Sequence, residues 1–321
     1  MVAHARPDVV GIGANSVDYV AVVPEFAQAA APLSKLRITR HAVMCGGQMA
    51  TALATCARLG LRTRYVGATG NDTNGRLVRD TLAQLDVDIS NLATHEAFNQ
   101  FAFVLVGERT GERVIFWDRD ERLDLDEHEL PGEALASCRL VHVDDTDEAA
   151  AIAAARIARV HGVTVTSDID RVTGRTRELV ETVDVAIFAE NVPLELVRGA
   201  GAAARVAGGS VEEVTSALEA LSRRRDQVFC ATLGSGGVVA IDNAGVHHQP
   251  AFHVAVTDTT GAGDVFRGAF IAARLEGRPL EAQLRFANAA AAVSCTRLGA
   301  LASVPSLEEV ERVLRGETDV K

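Results

Sequence analysis

The 321-residue chain is 48% hydrophobic and 23% charged, a composition typical of a folded protein with a large core. Its formal net charge of −11 disfavours a nucleic-acid or anionic-membrane partner, because both require clustered cations. The five cysteines are scattered without a CxxC pair, which disfavours a disulfide framework or a zinc site. Since no segment has the length and apolarity of a signal region or membrane helix, we expect a soluble cytoplasmic protein.

Short β-rich segments alternate with segments of helical periodicity along most of the chain. This alternation predicts an α/β fold in which helices cover both faces of a mostly parallel sheet, and ligands then bind at the carboxyl ends of the strands. The predicted strands are Val9–Ile12, Tyr65–Ala68, Leu140–Val143, Val163–Ser167, Val185–Phe188 and Val228–Ala231. The predicted helices are Gln48–Leu59, Arg76–Leu85, Ala149–Val160, Val211–Arg224, Val265–Glu276 and Leu280–Arg297.

Two segments, Val17–Ile38 and Phe98–Trp117, lack this helical periodicity. The second is typical of a β-hairpin, with FAFVLV and RVIFW on either side of a turn at Gly107–Gly111. We therefore predict a small β-sheet lid, formed by about residues 17–40 and 98–118, with an edge extension of the main sheet as the alternative. The hairpin is too apolar for an uncovered ribbon, which favours a homodimer. With no repeat or long linker, residues 1–321 are interpreted as one domain.

The segment DTTGAGD, Asp258–Asp264, carries the strongest chemical signal. It follows the strand-like AFHVAV and opens an apolar helix. Glycines on either side of Ala262, at Gly261 and Gly263, allow a tight turn whose N–H groups point into one concavity. The helix dipole adds positive potential, so the turn can hold a phosphoryl group. Asp264, in the first helical turn, can accept the proton of an attacking hydroxyl, and the preceding glycines disfavour the alternative of an ordinary helix-start residue.

Other phosphate-binding or nucleophilic motifs are incomplete in this sequence. A P-loop needs a lysine after its glycines, and the only lysines are Lys35 and Lys321. A dinucleotide fingerprint needs a third glycine, which GIGANS at Gly11–Ser16 lacks. A GxSxG elbow would require glycine rather than Leu233 before Ser235. These departures leave the DTTGAGD turn as the phosphate site.

Several motifs resemble those of the ribokinase-like sugar kinases, the phosphofructokinase-B type. CGGQMATALATCARLG, followed by YVGATGNDTNGRLVRDTLAQLDVD, resembles the N-terminal signature of the family, and DTTGAGDVFRGAF resembles its specific C-terminal signature. CATLGSGG resembles the nucleotide-binding turn, and RFANAAAAVSCTRLGALASVP resembles the final helix and cation loop. The resemblance covers nearly the whole chain. It implies a ribokinase-like three-layer sandwich with a β-sheet lid, and an ATP-dependent kinase that phosphorylates a hydroxyl of a small sugar.

The resemblance also implies residues that bind the sugar. Asp18 in NSVD matches a position that binds substrate hydroxyls, and a carboxylate accepts two such donors. Gly46 and Gly47 would allow close approach of the backbone, and Gln48 would add a side-chain contact. Asp72 or Asn74 would be a further contact, with a surface-turn role equally open.

The nucleotide and cation sites follow from the same resemblance. The implied nucleotide-binding residues are Thr232, Gly234, Ser235, Gly237 and Asn288, with an ordinary strand–turn–strand as the alternative for the glycine turn. The residues that match a potassium site beside the phosphate-binding turn are Asp258, Thr260, Ser294, Gly299 and Ser303.

The sequence departs from the family pattern at three positions. Thr51 stands where many members have asparagine. In FAENVPLE, Ala189 and Val192 occupy the asparagine and glutamate positions of the N-x-x-E motif. Chemistry on ATP still requires Mg²⁺, and we expect Glu190 or Asn191 to hold it through water.

The substrate is less well determined than the reaction. The C-terminal third is similar to the sulfofructose kinase branch, but the acidic loop Asp144–Asp147 would repel an anionic head group. Lys35, Arg37 and Arg119 are the possible compensating cations, and Arg119 also matches an arginine of sugar-acid kinases, although an ion pair with its acidic neighbours is favoured. We expect Asp145 to face a neutral pentose, ketohexose or nucleoside.

Three other functions stay open as alternatives. The first is a sugar-acid or sulfosugar kinase of the same fold. The second is a non-catalytic sugar-binding regulator, which the intact DTTGAGD segment disfavours. The third is a hydroxymethylpyrimidine-type vitamin kinase, which the double glycine at Gly46 and Gly47 disfavours.

Overall fold

The computed structural model describes residues 6–26, 35–109, 113–199, 209–222 and 226–317, and all statements below concern these residues. The strands are β1 (Val9–Ile12), β2 (Ser16–Val23), β3 (Arg40–Gly46), β4 (Thr63–Gly70), β5 (Val87–His95), β6 (Phe101–Gly107), β7 (Arg113–Asp118), β8 (Leu140–Asp144), β9 (Thr164–Ile169), β10 (Val185–Phe188), β11 (Val228–Thr232), β12 (Val238–Asp242) and β13 (Gly245–Gln249). The α-helices are α1 (Gln48–Arg58), α2 (Thr73–Gln84), α3 (Gly132–Ser137), α4 (Glu148–Val160), α5 (Thr176–Thr182), α6 (Val192–Arg198), α7 (Val211–Leu221), α8 (Ala262–Leu275), α9 (Leu280–Ser294) and α10 (Leu307–Leu314).

Nine strands form the main sheet, in the order β13-β12-β11-β10-β9-β8-β1-β4-β5. The strands from β5 to β11 in this order are parallel, and β12 and β13 continue the sheet as antiparallel neighbours. The central strands β1 and β10, VVGI and VAIF, are buried along their whole length, as expected for parallel strands covered on both faces. This confirms the predicted mostly parallel sheet.

Two hydrophobic clusters lie on opposite faces of the main sheet. One contains Leu53 of α1 and Phe270 of α8, and the other contains Ala154 of α4 and Leu218 of α7. Neighbouring residues of one strand divide between them, since Val9 belongs to the first cluster and Val10 to the second. Helices therefore cover both faces, and the predicted three-layer sandwich is confirmed.

Several local predictions were wrong. The helix predicted from Arg76 begins at Thr73, and the helix predicted to end at Arg297 ends at Ser294. The strand-like AFHVAV, residues Ala251–Val256, forms no strand, although it directly follows the edge strand β13. The predicted helix Val265–Glu276 begins three residues earlier, at Ala262, since the glycine turn itself leads into the helix. The predicted end of another helix, Val211–Arg224, falls partly outside the described residues.

The four remaining strands form a second sheet in the order β3-β2-β6-β7. β2 and β6 are parallel, whereas β3 and β7 pair in antiparallel fashion at the two edges. The hairpin β6–β7 thus belongs to a sheet of its own, as predicted, and is no extension of the main sheet. Most of β3 lies beyond the predicted lid limit at residue 40, and the predicted hairpin turn Gly107–Gly111 falls partly outside the described residues.

Within the described part of the chain, no helix combines the length and apolarity needed to cross a membrane.

Candidate active site

The glycine-rich turn at the start of α8 is held rigidly by the preceding acid. One carboxylate oxygen of Asp258 accepts hydrogen bonds from the backbone N–H and hydroxyl of Thr260, at 2.9 and 2.7 Å. The other accepts from the backbone N–H of Gly299 at 2.9 Å. Gly261 precedes the helix with a φ of 76°, and a Cβ atom there would lie 2.6 Å from the Cβ atom of Ala300. Only glycine fits this tight turn without displacing its neighbours.

Asp264 lies in the first turn of α8, directly after the glycines. Its carboxyl group is enclosed by protein atoms, although the residue keeps some contact with solvent. This burial raises the pKa of Asp264 to about 7, with Arg267 opposing the shift and nearby carboxylates, foremost Asp170, reinforcing it. A carboxyl group whose pKa lies near neutrality can exchange a proton at working pH, which is the property required of a general base.

A small polar cavity of about 240 Å³ lies at the carboxyl ends of β8 and β9. Its lining residues are Gln48, Gln100, Trp117, Asp145, Thr146, Asp170 and Arg171, and we call it the polar pocket. Trp117 comes from the lid strand β7, so the second sheet covers the pocket. The predicted residues Gln48 and Asp145 are thereby brought together.

Three buried polar atoms of the polar pocket have no hydrogen-bond partner. They are Nε2 of Gln48, Oε1 of Gln100 and Oδ1 of Asp145. The other oxygen of Asp145 accepts from the backbone N–H groups of Asp170 and Arg171, at 2.8 and 2.9 Å, which fixes the carboxylate. Because unpaired buried polar atoms are costly, one donor and two acceptors in one cavity indicate a site for a hydrogen-bonding ligand.

Asp18 and Gly46 lie next to each other, and neither they nor Gly47 line the polar pocket. Asp18 accepts a hydrogen bond from the hydroxyl of Ser16 at 2.9 Å, and burial raises its pKa. A Cβ atom at position 46 would lie 2.6 Å from the second carboxylate oxygen of Asp18, so Gly46 leaves room for that oxygen. Gly47 has a φ of 100° and starts α1, which places the side chain of Gln48 at the first helical position.

Several predicted substrate residues have other roles in the structure. The guanidinium of Arg119 donates to the backbone oxygen of Leu123 and to Asp124, both at 3.0 Å, and Arg119 does not line the polar pocket. Asp144 is fully buried and accepts from the backbone N–H of Ala14 at 2.7 Å. Since its other oxygen accepts from the backbone N–H of Thr146, Asp144 shapes the backbone rather than the pocket.

The remaining candidates for the sugar site are also used locally. Asp72 caps α2 by accepting from the backbone N–H of Gly75 at 2.9 Å, which supports its turn role. The side chain of Asn74 accepts from the hydroxyl of Tyr19 at 2.7 Å. Lys35 and Arg37 are exposed.

A second, larger cavity of about 440 Å³ adjoins the glycine-rich turn. Five of its lining residues are those predicted for the nucleotide: Thr232, Gly234, Ser235, Gly237 and Asn288. Asn288 also fixes the cavity wall, since its amide donates to the backbone oxygens of Gln249 and Pro250 at 2.9 and 3.2 Å. The segment Ala251–Val254, misinterpreted as a strand, forms a further part of the wall, and Ala262 and Gly263 complete it toward the turn.

The arrangement matches a known family over most of the chain. Residues 6–307 match the family model described as pfkB family carbohydrate kinase. The chain belongs to this family. As a carbohydrate kinase, it transfers a phosphoryl group from ATP to a sugar hydroxyl.

Individual relatives and a solved structure agree with this assignment. The chain is 28% identical to a ribokinase of Haemophilus influenzae over 306 residues, covering 93% of this chain and 95% of that protein. It is 28% identical to a fructokinase of Salmonella typhimurium over 282 residues, covering 83% and 91%. The crystal structure of a ribokinase from Thermotoga maritima superposes with a TM-score of 0.80 at 25% identity, covering 96% and 99%. The fold and family are thus those predicted from the signatures.

Oxygen atoms at two places in the structure fit the metal ions expected for this kinase. Oδ1 of Asn191 is buried without a partner, next in sequence to the partly buried Glu190 at the carboxyl end of β10. Such oxygens fit hydrated Mg²⁺, which keeps several of its waters. In the predicted potassium site the hydroxyls of Ser294 and Ser303 donate to backbone oxygens, so their lone pairs stay available to a cation.

Several residues around the two cavities were not predicted from the sequence, because each reaches its cavity only through the tertiary structure. Gln100 and Trp117 were recognised only as part of the hairpin region. Arg113 of β7 donates to the hydroxyls of Thr260 and Thr259, at 2.6 and 2.9 Å, and so connects the second sheet to the glycine-rich turn. Arg171 lies against Trp117, with its guanidinium carbon 5.7 Å from the ring centre. The alternation of arginines and acids in SDIDRVTGR was the available signal for Arg171.

Proposed function

We propose that this kinase phosphorylates a hydroxyl of a neutral polyhydroxyl substrate, namely a pentose, a ketohexose or a nucleoside. The observation that carries the proposal is the set of unpaired buried atoms in the polar pocket. Oε1 of Gln100 and Oδ1 of Asp145 are acceptors, and a ligand that donates hydrogen bonds would satisfy them. Sugar hydroxyls donate, whereas sulfonate, phosphate and carboxylate groups only accept at neutral pH.

Charge supports the same choice. Asp145 and Asp170 contribute two carboxyl groups to the polar pocket, and Arg171 contributes one guanidinium. That guanidinium lies over Trp117 and donates to the backbone oxygen of Asp145 at 3.4 Å. An anionic head group would need cations in excess of the acids, and the pocket has the reverse balance.

Arg171 favours one alternative, a sugar-acid or sulfosugar kinase. Its side chain is exposed, so the guanidinium can turn toward an anionic head group. The proposal and this alternative are separated by thermal shift with matched pairs, each consisting of a neutral sugar and its acid or phosphate counterpart, in the presence of a non-hydrolysable ATP analogue. Because a ligand that binds only the native state raises the melting temperature, a larger shift with the neutral members supports the proposal. A larger shift with the anionic members contradicts it.

We further propose how the chain carries out the transfer. Asp264 accepts the proton of the substrate hydroxyl, whose oxygen attacks the γ-phosphorus of ATP while ADP leaves. The backbone N–H groups of Gly261–Gly263 stabilise the charge that develops on the phosphoryl oxygens. ATP would occupy the larger cavity. Glu190 and Asn191 would hold Mg²⁺ through water, and the bound ion would supply positive charge to the phosphates.

Replacing Asp145 with Asn is expected to raise the KM for the neutral sugar about 5- to 150-fold, corresponding to roughly 1–3 kcal/mol for a charged hydrogen bond. The amide oxygen of the new side chain would face the backbone N–H groups of Asp170 and Arg171, so its NH₂ group would face the polar pocket in place of an acceptor. Steady-state kinetics measure the change, and an unaltered KM would show that Asp145 does not contact the sugar.

Potassium is expected to raise kcat relative to sodium. The reason is that a cation bound by the two loops that contain Asp258 and Gly299 would stabilise the phosphate-binding turn. Asp258 already joins these two segments through its bonds to Thr260 and Gly299. Initial rates in potassium, sodium and tetramethylammonium salts at equal ionic strength test this. Equal rates in all three contradict a potassium site.

A homodimer is expected to form through the apolar outer surface of the lid. Phe103 and Phe116 pair across β6 and β7, and they are 51% and 58% exposed. An exposed aromatic pair of this kind is typical of a subunit interface. Sedimentation should show a dimer that Phe103→Glu dissociates, whereas the control Val160→Glu, at an exposed site on α4, leaves it intact. A monomeric native protein contradicts the interface.

We also propose a cytoplasmic location, where the free cysteines stay reduced.

A further inference from the structure

Arg267 has one of the least exposed side chains of the described chain, at 2% exposure, although it carries a positive charge. Its Nε atom lies 2.6 Å from a carboxylate oxygen of Asp168, in an ion contact without the alignment of a hydrogen bond. Its Nη2 atom donates a hydrogen bond to Asp170 at 3.2 Å. The two acids come from the end of β9, so the guanidinium is held between that strand and α8.

The third nitrogen of Arg267 faces the phosphate-binding turn. Gly263 lies four residues earlier on α8, and long helical side chains point back toward the N-terminus. A Cβ atom at position 263 would lie 2.6 Å from Nη1 of Arg267. Gly263 lines the nucleotide cavity, whereas Asp170 lines the polar pocket. The guanidinium is therefore buried behind the glycine-rich turn, next to one residue of each cavity wall.

Stability alone does not account for this arginine. A cation at the start of a helix is opposed by the helix dipole, which places positive potential there. A buried ion pair also loses the hydration of both partners, so apolar residues of similar size are often equally stabilising or more so. The pair between Asp168 and Arg267 carries these costs directly behind the phosphate-binding turn.

Several other titratable groups surround Arg267 and Asp264. Carboxylates predominate among them, and Arg267 is the cation in the described chain that opposes their effect on the pKa of Asp264. The groups are Asp18 of β2, His142 and Asp144 of β8, Asp168 and Asp170 at the end of β9, and Cys230 of β11. Burial lowers the pKa of His142 to about 3 and raises that of Cys230 to about 12, so both are uncharged at neutral pH.

We propose that Arg267 is a positioning residue for phosphoryl transfer, which holds a fixed positive charge behind the turn Gly261–Asp264 and acts through that turn. The inference rests on the proposed function. The charge adds to the potential that attracts the transferring phosphoryl group toward the backbone N–H groups. It also favours the ionised carboxylate of Asp264 over the protonated form, which the surrounding acids would otherwise favour.

The test is the pH dependence of kcat in Arg267→Met and Arg267→Lys. The acid limb of the profile reports the protonation of Asp264 in the complex with substrates. In Arg267→Met it should move to higher pH by about one unit or more, and the maximal kcat should fall about 10²-fold. The KM values for ATP and sugar should change less than about threefold. Arg267→Lys keeps the charge, so its acid limb should stay in place and most of the lost kcat should return.

Arg64→Met is the matched control. Arg64 is a partly buried arginine whose Nε atom lies 2.7 Å from Asp88, and both residues lie on β4 and β5 outside the two cavities. Its removal should lower the melting temperature without moving the acid limb. If Arg267→Met shows the wild-type limb and kcat, or the same loss as Arg267→Lys, Arg267 has only a structural role.

Arg267→Met leaves Asp168 buried without its partner and can fail to fold. In that case Asp168→Asn is compared with the double variant Arg267→Met/Asp168→Asn, which removes both members of the pair. The double variant should have at least about tenfold lower kcat than Asp168→Asn, and the acid limb of its pH profile should lie at higher pH. Equal values in the two variants contradict the inference. If the wild-type protein phosphorylates none of the sugars, the proposed function is wrong. If the wild-type protein is active and the Arg267 variants have the same kcat and pH profile, only the inference about Arg267 is wrong.

Discussion

Replacing Asp264 with Asn is expected to lower kcat by about 10²–10⁴-fold while the KM values for sugar and ATP change little. The two side chains have nearly the same shape, and both accept a hydrogen bond from the substrate hydroxyl, so binding should survive. Only the carboxylate can accept the proton as the hydroxyl attacks phosphorus. Steady-state kinetics, with binding of both ligands measured separately by calorimetry, give the two effects independently.

The same variant distinguishes a base from a helix-start residue. In the first turn of α8, Asn would lose only the interaction of the Asp264 charge with the helix dipole, about 0.3–1 kcal/mol of stability. A purely structural Asp264 would therefore be replaced without loss of kcat. The wild-type enzyme should also lose activity as the pH falls through the raised pKa of Asp264, about 7, because the protonated carboxyl cannot accept a proton. A near-normal kcat in Asp264→Asn, with an unchanged acid limb, would remove Asp264 from the mechanism.

Gly261→Ala is expected to lower kcat about 10²-fold through displacement of the phosphate-binding turn. The new Cβ atom would lie 2.6 Å from the Cβ atom and 2.8 Å from the Cα atom of Ala300, so one of the two backbones must move. Each donor of such a site contributes roughly 10²–10³-fold to kcat, and a displacement of about 1 Å is enough to lose much of this. Stopped-time product assays at saturating ATP and sugar measure the loss.

Gly60→Ala is the matched control for Gly261→Ala. Gly60 also has a positive φ, 93°, but beyond its two chain neighbours no atom of the described residues lies within 4 Å of the position that its Cβ atom would take. Both variants carry the backbone strain of a left-handed alanine, roughly 1–2 kcal/mol, so both should lose some thermal stability. Only Gly261→Ala should lose turnover. A similar kcat in the two variants would show that the turn tolerates displacement and does not hold the phosphoryl group.

The parts of the fold that follow from local patterns could be predicted from the sequence. Buried parallel strands such as VVGI have continuous apolar runs, and the intervening helices have a clear apolar period. The antiparallel strand β13 escaped prediction, since GVHHQ alternates in exposure and has little apolar character. Its neighbour β12, VVAID, was missed although it is apolar and buried. AFHVAV has the composition of a strand, yet it lines the larger cavity instead of extending the sheet.

Some residues of the candidate site could likewise be predicted from the sequence, and others could not. The glycine turn and Asp264 are contiguous in sequence, so their spacing alone predicts their geometry. Gln100 and Trp117 reach the polar pocket only through the pairing of β6 with β2, which joins residues about eighty positions apart. The carboxyl groups of DDTD could not be separated by sequence either. Asp144 faces backbone amides and Asp145 faces the pocket, because neighbouring residues after a strand point in different directions.

The central claim is that the enzyme transfers the γ-phosphoryl group of ATP to a hydroxyl of a neutral sugar. The most direct measurement is phosphorus NMR of the wild-type protein incubated with ATP, Mg²⁺ and potassium, and with single members of a panel of pentoses, ketohexoses, nucleosides, sugar acids and sugar phosphates. Incubation with a neutral member of the panel is expected to give a new phosphomonoester resonance, equal in amount to the ADP formed. Phosphorylation confined to the acids or sugar phosphates, or release of inorganic phosphate without a sugar ester, would contradict it.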